Sequence, residues 1–405
     1  MISILFEGWR FLQHSYGNVL AFLLIHLWKQ YGPNKTNEII FYVRECSYHD
    51  INWKNNQKLT YSPEYNRILK NLKPYNGEKV DIIYRQTYPY NLEPPQIPKT
   101  PICVFYTSEF AILNNSYFNH DPKQDIRSYL IKNQNFYFTA PSEWSSRGMT
   151  PFLDNNKRNQ IISHGVDTSI FYRHSNDSIR KQIRRKYNIL DNDILLINIG
   201  AMTMNKGIFL ILEALYNLVI IQKLPFKLLL KGMTDLYKSR EFVDTYINHL
   251  GYNTTAFKSH IIFIDGTLDY SEINDLFNAS DLYISPYLAE GFGLTMLEAL
   301  ASGLRVLVPR TGSASDYIDP IYKNGGEPYI YYVDSVIIQD GAGLYKNQID
   351  TISIINILSK NAHDIKETLD DKKYLLLKKY IKMNYSWNKI STDLYNYLCD
   401  IIVQK

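Results

Sequence analysis

The sequence predicts an α/β protein built from two doubly wound domains. Short apolar runs alternate with helical patterns along most of the 405 residues, as in chains of βαβ units. The strands of the second half are apolar on both faces, as in a parallel sheet covered by helices on each side. The length agrees: it exceeds what one core ordinarily needs and suits two domains of about 150–200 residues.

In the first half, Ile2–Phe6, Glu38–Val43, Val80–Tyr84, Ile102–Tyr106, Phe136–Ala140 and Gln160–Ser163 read as strands. Tyr16–Tyr31 reads as the helix after the first strand, and the polar region Asn52–Asn76 has no clear assignment. The second half is cleaner. Strands are expected at Ile194–Ile199, Phe226–Leu230, Ile261–Ile264, Leu282–Ser285 and Leu304–Val308. Helices are expected at Ile208–Val219, Arg240–Leu250, Ser271–Asn278 and Leu294–Ala301, the last closed by Gly303. The seam is placed at His164-Gly-Val-Asp167, with polar Thr168–Arg184 as a linker. After Tyr332 the pattern reads as mostly helical, through Ile355–Leu358, Ile365–Ile381 and Trp387–Ile402. The expected domains are residues 1–167, 168–384 and a final helix at 385–405. Two doubly wound domains in tandem place a cleft between them, and ligands bind beyond the carboxyl ends of the strands.

Composition narrows the function classes. With 45% hydrophobic and 21% charged residues the chain is globular rather than disordered. A net charge of +4 is too mild to imply a nucleic-acid partner, which needs a concentrated basic face. The three cysteines, Cys46, Cys103 and Cys399, are far apart and lack metal-ligand spacing, which fits a reducing, cytoplasmic setting. No apolar run approaches the roughly 20 residues that span a bilayer, so a soluble protein is expected; contact with a membrane surface stays open. The 34 tyrosines and the sequons Asn34-Lys-Thr36 and Asn253-Thr-Thr255 are read as compositional bias.

The most informative stretch is Pro286-Tyr-Leu-Ala-Glu-Gly-Phe-Gly-Leu-Thr-Met-Leu-Glu-Ala-Leu-Ala-Ser-Gly303, which follows a strand and opens a helix. Gly291 and Gly293 permit a tight turn and close approach of a ligand. The N–H groups from Phe292 to Thr295 then lie at a helix N-terminus, suited to a phosphate or a sugar hydroxyl. Glu290 and Glu298, with seven residues between them, supply carboxylates that accept hydroxyl hydrogen bonds.

This arrangement resembles the family 4 retaining glycosyltransferases (glycosyl transferases group 1), whose fold, GT-B, is two Rossmann-like domains facing across a cleft with a C-terminal helix returning to the first. The resemblance implies that Glu290 contacts the donor sugar and Glu298 the nucleotide ribose. Gly291, Phe292, Gly293, Leu294 and Thr295 then lie beside the sugar and phosphate. Gly200-Ala-Met-Thr-Met-Asn-Lys-Gly207 is similar to the family's phosphate loop, with Lys206 neutralising the diphosphate. Ala201 stands where many relatives carry Arg. Asp265-Gly-Thr-Leu-Asp-Tyr-Ser-Glu-Ile273 resembles the base-packing loop, which brings in Gly266 and Leu268. Pro309-Arg-Thr-Gly-Ser-Ala-Ser-Asp316 matches a cleft wall, and Tyr385-Ser-Trp387 the start of the last helix. Ala140-Pro-Ser-Glu-Trp144 fits the last strand–helix turn of the first domain. In that domain the resemblance thins. Glu109 and Ser108 occupy the position of a family histidine, and Gly8, Tyr16 and Gly17 are candidate acceptor or phosphate contacts.

The implied activity is transfer of a sugar, with retention, from a nucleoside-diphosphate sugar to a carbohydrate-containing acceptor such as a glycan, lipid or protein-linked sugar. The diphosphate is stabilised by Lys206 and loop N–H groups, so no metal and no cofactor is expected. Two rivals share the fold: a sugar-nucleotide epimerase or phosphorylase, and a nucleotide-sugar-binding paralogue without turnover. The oligomeric state is not encoded legibly.

Overall fold

The protein is described here from a computed structural model, covering residues 2–12, 14–32, 39–49, 61–120, 124–154, 158–367 and 369–404. The sequon at Asn34 and residues 52–60 of the Asn52–Asn76 region lie outside these. The strands in chain order are β1 Ile2–Gly8, β2 Ile39–Glu45, β3 Lys73–Pro74, β4 Ile82–Gln86, β5 Tyr90–Asn91, β6 Ile102–Phe105, β7 Phe118–Asn119, β8 Phe136–Ala140, β9 Asn159–Ile161, β10 Ile194–Ile199, β11 Phe226–Lys231, β12 Ile261–Ile264, β13 Leu282–Ile284, β14 Arg305–Pro309, β15 Ile330–Val333, β16 Ser335–Gln339 and β17 Tyr345–Ile349. They form two large parallel sheets, ordered β3-β2-β1-β4-β6-β8-β9 and β12-β11-β10-β13-β14-β15. In both, the order reverses beside the first strand, the arrangement that opens a ligand crevice at the strand ends.

The chain divides into a unit of Met1–Gly165 with Asn384–Lys405 and a unit of Val166–Met383. In the first, the helix Ser15–Tyr31 starts where the His14 ring accepts the Tyr16 N–H and ends at Gly32. Its buried run from Val19 to Leu27 leaves almost no solvent face. The final helix, Trp387–Val403, covers it. Phe22 stacks on Trp387 with ring centroids 5.5 Å apart, Tyr31 meets Tyr395, and Gln30 bonds Ser391 and Thr392. The C-terminal helix therefore packs on the first unit. His164 sits between Phe105 and Trp387, and burial pushes its ring down to about 3, so it is a neutral packing residue.

The second unit is built around β10, β11, β13 and β14, whose residues are almost wholly buried. One expectation fails there. Residues 178–186 form a helix, not linker. It has almost no apolar face; it is held by arginines. Arg180 and Arg184 bond the Asp281 carboxylate at 2.6 and 3.3 Å and take up the carbonyls of Asn278, Ala279 and Ser280 at a helix end. Hydrophobic periodicity offers only Ile179 and Ile183, four residues apart, as a trace of such a helix. The region after Tyr332 is mostly helical, as expected, but a hairpin precedes its helices. β16 and β17 form an antiparallel hairpin across Asp340-Gly-Ala-Gly343, where Gly343 has φ +82° and Asp340 N–H donates to the Leu344 carbonyl. Ile365–Ile381 is also interrupted between Lys366 and Asp371. Among the described residues, no helix is long and apolar enough to cross a membrane.

Candidate active site

The sheet of the second unit places its switch point between β10 and β13. The loop after β10 carries Gly200–Gly207, and the loop after β13 carries Pro286–Gly293. The two are laced together. The Asn205 carbonyl accepts the N–H groups of Leu288 and Ala289 at 2.7 and 3.1 Å. Gly207, at φ +69°, lies so close to Pro286 that a Cβ there would meet its carbonyl oxygen at 2.1 Å. This lacing brings Lys206 Nζ to 2.7 Å from Glu290 Oε2, with about a fifth of each side chain exposed. The pair arises from residues 84 positions apart in sequence.

Gly293, at φ +92°, opens the helix Leu294–Ala301 and, as its cap residue, supplies no side-chain acceptor to the N–H groups that follow. Phe292 is buried and stacks on Tyr317, whose hydroxyl donates to the Gly293 carbonyl at 2.9 Å. The Tyr283 hydroxyl pairs with the Thr295 hydroxyl at 2.7 Å. Burial raises the Tyr283 phenol, and both Glu290 and Glu298 push it further up, so the two carboxylates converge on one ring. Burial also raises the Glu298 carboxyl to about 8. Gly200 and Gly266 (φ +79°) both face open space, while Leu268 is half-buried just before the next helix. In the second unit, then, Gly200, Lys206, Glu290, Gly291, Phe292, Gly293, Leu294, Thr295 and Glu298 cluster at the ends of β10 and β13, with Gly266 and Leu268 following β12.

The candidates of the first unit fare unevenly. Glu109 is half-buried; its charge adds to the burial that raises the phenols of Tyr16 and Tyr117. Ser108, in contrast, is 2% exposed, and its hydroxyl donates to the Ile112 carbonyl, so it builds the turn and is not offered to a ligand. The Tyr16 hydroxyl is buried against that of Tyr90 at 3.1 Å. Gly8 and Gly17 are glycines for packing: a Cβ at Gly8 would strike the Gln86 carbonyl at 2.6 Å, and one at Gly17 the Leu12 carbonyl at 2.2 Å. Ser108, Tyr16, Gly8 and Gly17 are all buried within the first unit.

Residues 179–325 match the family model described as glycosyl transferases group 1. The chain carries a group 1 glycosyl transferase domain. The match spans the arginine-held helix, the Lys206 loop and the Glu290–Glu298 stretch. The protein is similar to an uncharacterized glycosyltransferase of Methanocaldococcus jannaschii, 21% identical over 243 residues, which cover 58% of this chain and 53% of that protein. It is also similar to the lipopolysaccharide glucosyltransferase WaaG of Escherichia coli, 29% identical over 162 residues, 40% of each chain. The alignments thus span about half or less of these relatives' length. Among solved structures it resembles a glycosyltransferase from Rickettsia africae (TM-score 0.65, 14% identity, 100% of this chain and 99% of that one). It also resembles Anabaena Alr3699/HepE in complex with UDP and glucose (TM-score 0.61, 13% identity, 99% and 100%). These likenesses establish the GT-B fold.

Sequence reasoning also missed several residues. Lys231, at the end of β11, is 5% exposed and donates to the carbonyls of Gly232 and Gly266; burial pushes its ammonium down to about 8. It is a cation beside the Gly200 and Gly266 loops. Asn347 of the hairpin, 2% exposed, bonds the backbone of Tyr287 and Leu288 and the Thr311 hydroxyl, and so buttresses the Glu290 loop. The Asp340-Gly-Ala-Gly343 turn was the available signal. In the first unit, Tyr88, Tyr117 and His49 gather near Glu109 at the strand ends, with Tyr88 4.8 Å from His49 and 6.2 Å from Tyr117. Among the described residues, one group has metal-holding geometry, His363, Asp364 and Glu367; all three are exposed and none belongs to the site above.

Proposed function

We propose that the protein is a retaining glycosyltransferase that moves a sugar from a nucleoside-diphosphate sugar to a carbohydrate hydroxyl. The observation that carries this reading is the Lys206–Glu290 pair, held at the switch point beside the helix start at Gly293. Such a pair, part-exposed, is worth at most about 1 kcal/mol. Charge-assisted hydrogen bonds from Lys206 to a diphosphate, at about 1.5–3 kcal/mol each, outweigh it. Glu290, relieved of its partner, turns its carboxylate to the sugar hydroxyls. Glu298 takes the ribose, where a carboxyl that stays protonated near neutral pH both donates and accepts.

In the reaction the bond between the anomeric carbon and the diphosphate oxygen breaks. The acceptor oxygen bonds that carbon on the same face, and the acceptor proton passes to the departing phosphate. Lys206 and the N–H groups after Gly293 stabilise the charge that develops on the diphosphate. No metal is assigned a step, and the aromatics near Glu109 are the proposed seat of the acceptor ring.

Thermal protection by UDP-, GDP- and ADP-sugars tests the donor half, since a ligand bound to the native state raises stability with its concentration. Protection by at least one is expected; none by any would overturn the reading. Lys206→Ala should weaken nucleoside-diphosphate binding about 10- to 100-fold and nucleoside binding little. Equal weakening would remove its role.

A further inference from the structure

The helix Asp371–Tyr385 buries Tyr374, Leu377 and Ile381, and the Tyr374 hydroxyl donates to the Ala301 carbonyl of the second unit. Its outer face is unusual. Leu375, Leu376 and Met383 are 61%, 59% and 62% exposed. Lys372, Lys373, Lys379 and Lys382 are exposed among them, and Asp371 is the helix's only acid. Residues three, four and seven apart share a helix face, so Lys372, Leu375, Leu376, Lys379, Lys382 and Met383 form one stripe. Single exposed apolar residues are ordinary, but three large ones on one stripe mark an interaction surface. Tyr172, 38% exposed, lies beside this helix, with Lys378 Nζ 5.9 Å above its ring.

We propose that this stripe docks on an anionic lipid surface. Charge complementarity selects the partner's sign, because the stripe carries three exposed lysines, Lys372, Lys379 and Lys382, with exposed Lys373 flanking it, against one aspartate on the helix. The leucines and methionine select its kind. Lysines on long apolar stems reach headgroup phosphates while Leu375, Leu376 and Met383 enter the boundary below them. A nucleic acid would use the lysines and leave the leucines in water. The inference does not depend on the catalytic reading, since none of these residues belongs to the candidate site.

The test is co-sedimentation of the full chain with vesicles of phosphatidylcholine alone or containing phosphatidylglycerol. Binding to the anionic vesicles, weakening as salt rises from about 0.1 to 0.5 M, is expected. Reversal of the four lysines (K372E, K373E, K379E, K382E) should weaken it by about a hundredfold or more, at near a factor of five for each lysine removed. L375S with L376S and M383S should weaken it at low salt too, while leaving the affinity for a short single-stranded oligonucleotide unchanged. All these side chains are exposed, so the melting temperature should hold in each variant. Equal binding to both vesicle types, no binding to either, full binding by the leucine variant, or an oligonucleotide bound more tightly than the vesicles would each overturn the proposal.

Discussion

Glu298→Gln tests the environment of the site without reference to any ligand. The carboxyl is raised from 4.5 to about 8 because burial penalises its charged form. Between those values the native chain holds a proton that the unfolded chain has released. The unfolded state then binds fewer protons, so stability is greatest below pH 4.5 and falls as pH rises toward 8. At 1.36 kcal/mol per unit, the full shift corresponds to about 5 kcal/mol. Glu298 keeps some exposed surface, and solvent screening reduces this to about 2–4 kcal/mol. Glutamine keeps the shape and does not titrate. Thermal melts of both proteins from pH 5 to pH 9 should nearly coincide at the acid end. At pH 8.5 the variant should melt about 5–10 °C higher. Parallel curves across the range would refute the buried-carboxyl argument, and a variant falling behind at high pH would reverse its sign.

Three further outcomes are expected. Gly207→Ala forces an L-residue into the left-handed region and against the Pro286 carbonyl, so it should cost about 3 kcal/mol or more in denaturant melts and reduce donor affinity with it; an unchanged midpoint would disprove the loop lacing. Arg184→Ala leaves the buried Asp281 with Arg180 as its remaining guanidinium partner and should cost about 3 kcal/mol, whereas a loss under about 1 kcal/mol would mean the helix 178–186 is not held as described. Tyr88→Ala should raise the KM for a carbohydrate acceptor several-fold and leave slow donor hydrolysis unchanged; a loss confined to hydrolysis would place Tyr88 outside the acceptor subsite.

Much of the second unit was legible because its signals are local. β10, β12 and the helix Leu294–Ala301 fall where apolar runs and glycines place them. A doubly wound fold announces itself through that alternation, and a Gly-Phe-Gly turn before a small-residue helix is readable without a partner. The helix at 178–186 was not, since its stability comes from Asp281 and carbonyls about a hundred residues away. The hairpin was not either: its turn was visible, but its buried residue, Asn347, is polar and satisfied by the Tyr287–Leu288 backbone.

The sequence by itself determined the alternation of strands and helices, the helix start after Gly293 and the identities of Lys206, Glu290 and Glu298. Tertiary structure decided which of the named residues reach a ligand. Ser108, Gly8 and Gly17 looked available in a linear reading, yet the first is spent on the Ile112 carbonyl and the glycines on close backbone packing. Lys206 and Glu290 meet only because β10 and β13 are neighbours across the switch point. The pKa of Glu298 is likewise a property of what surrounds it. Burial and long-range pairing depend on sheet order, and sheet order follows from how the whole chain satisfies its apolar faces, which no window of residues contains.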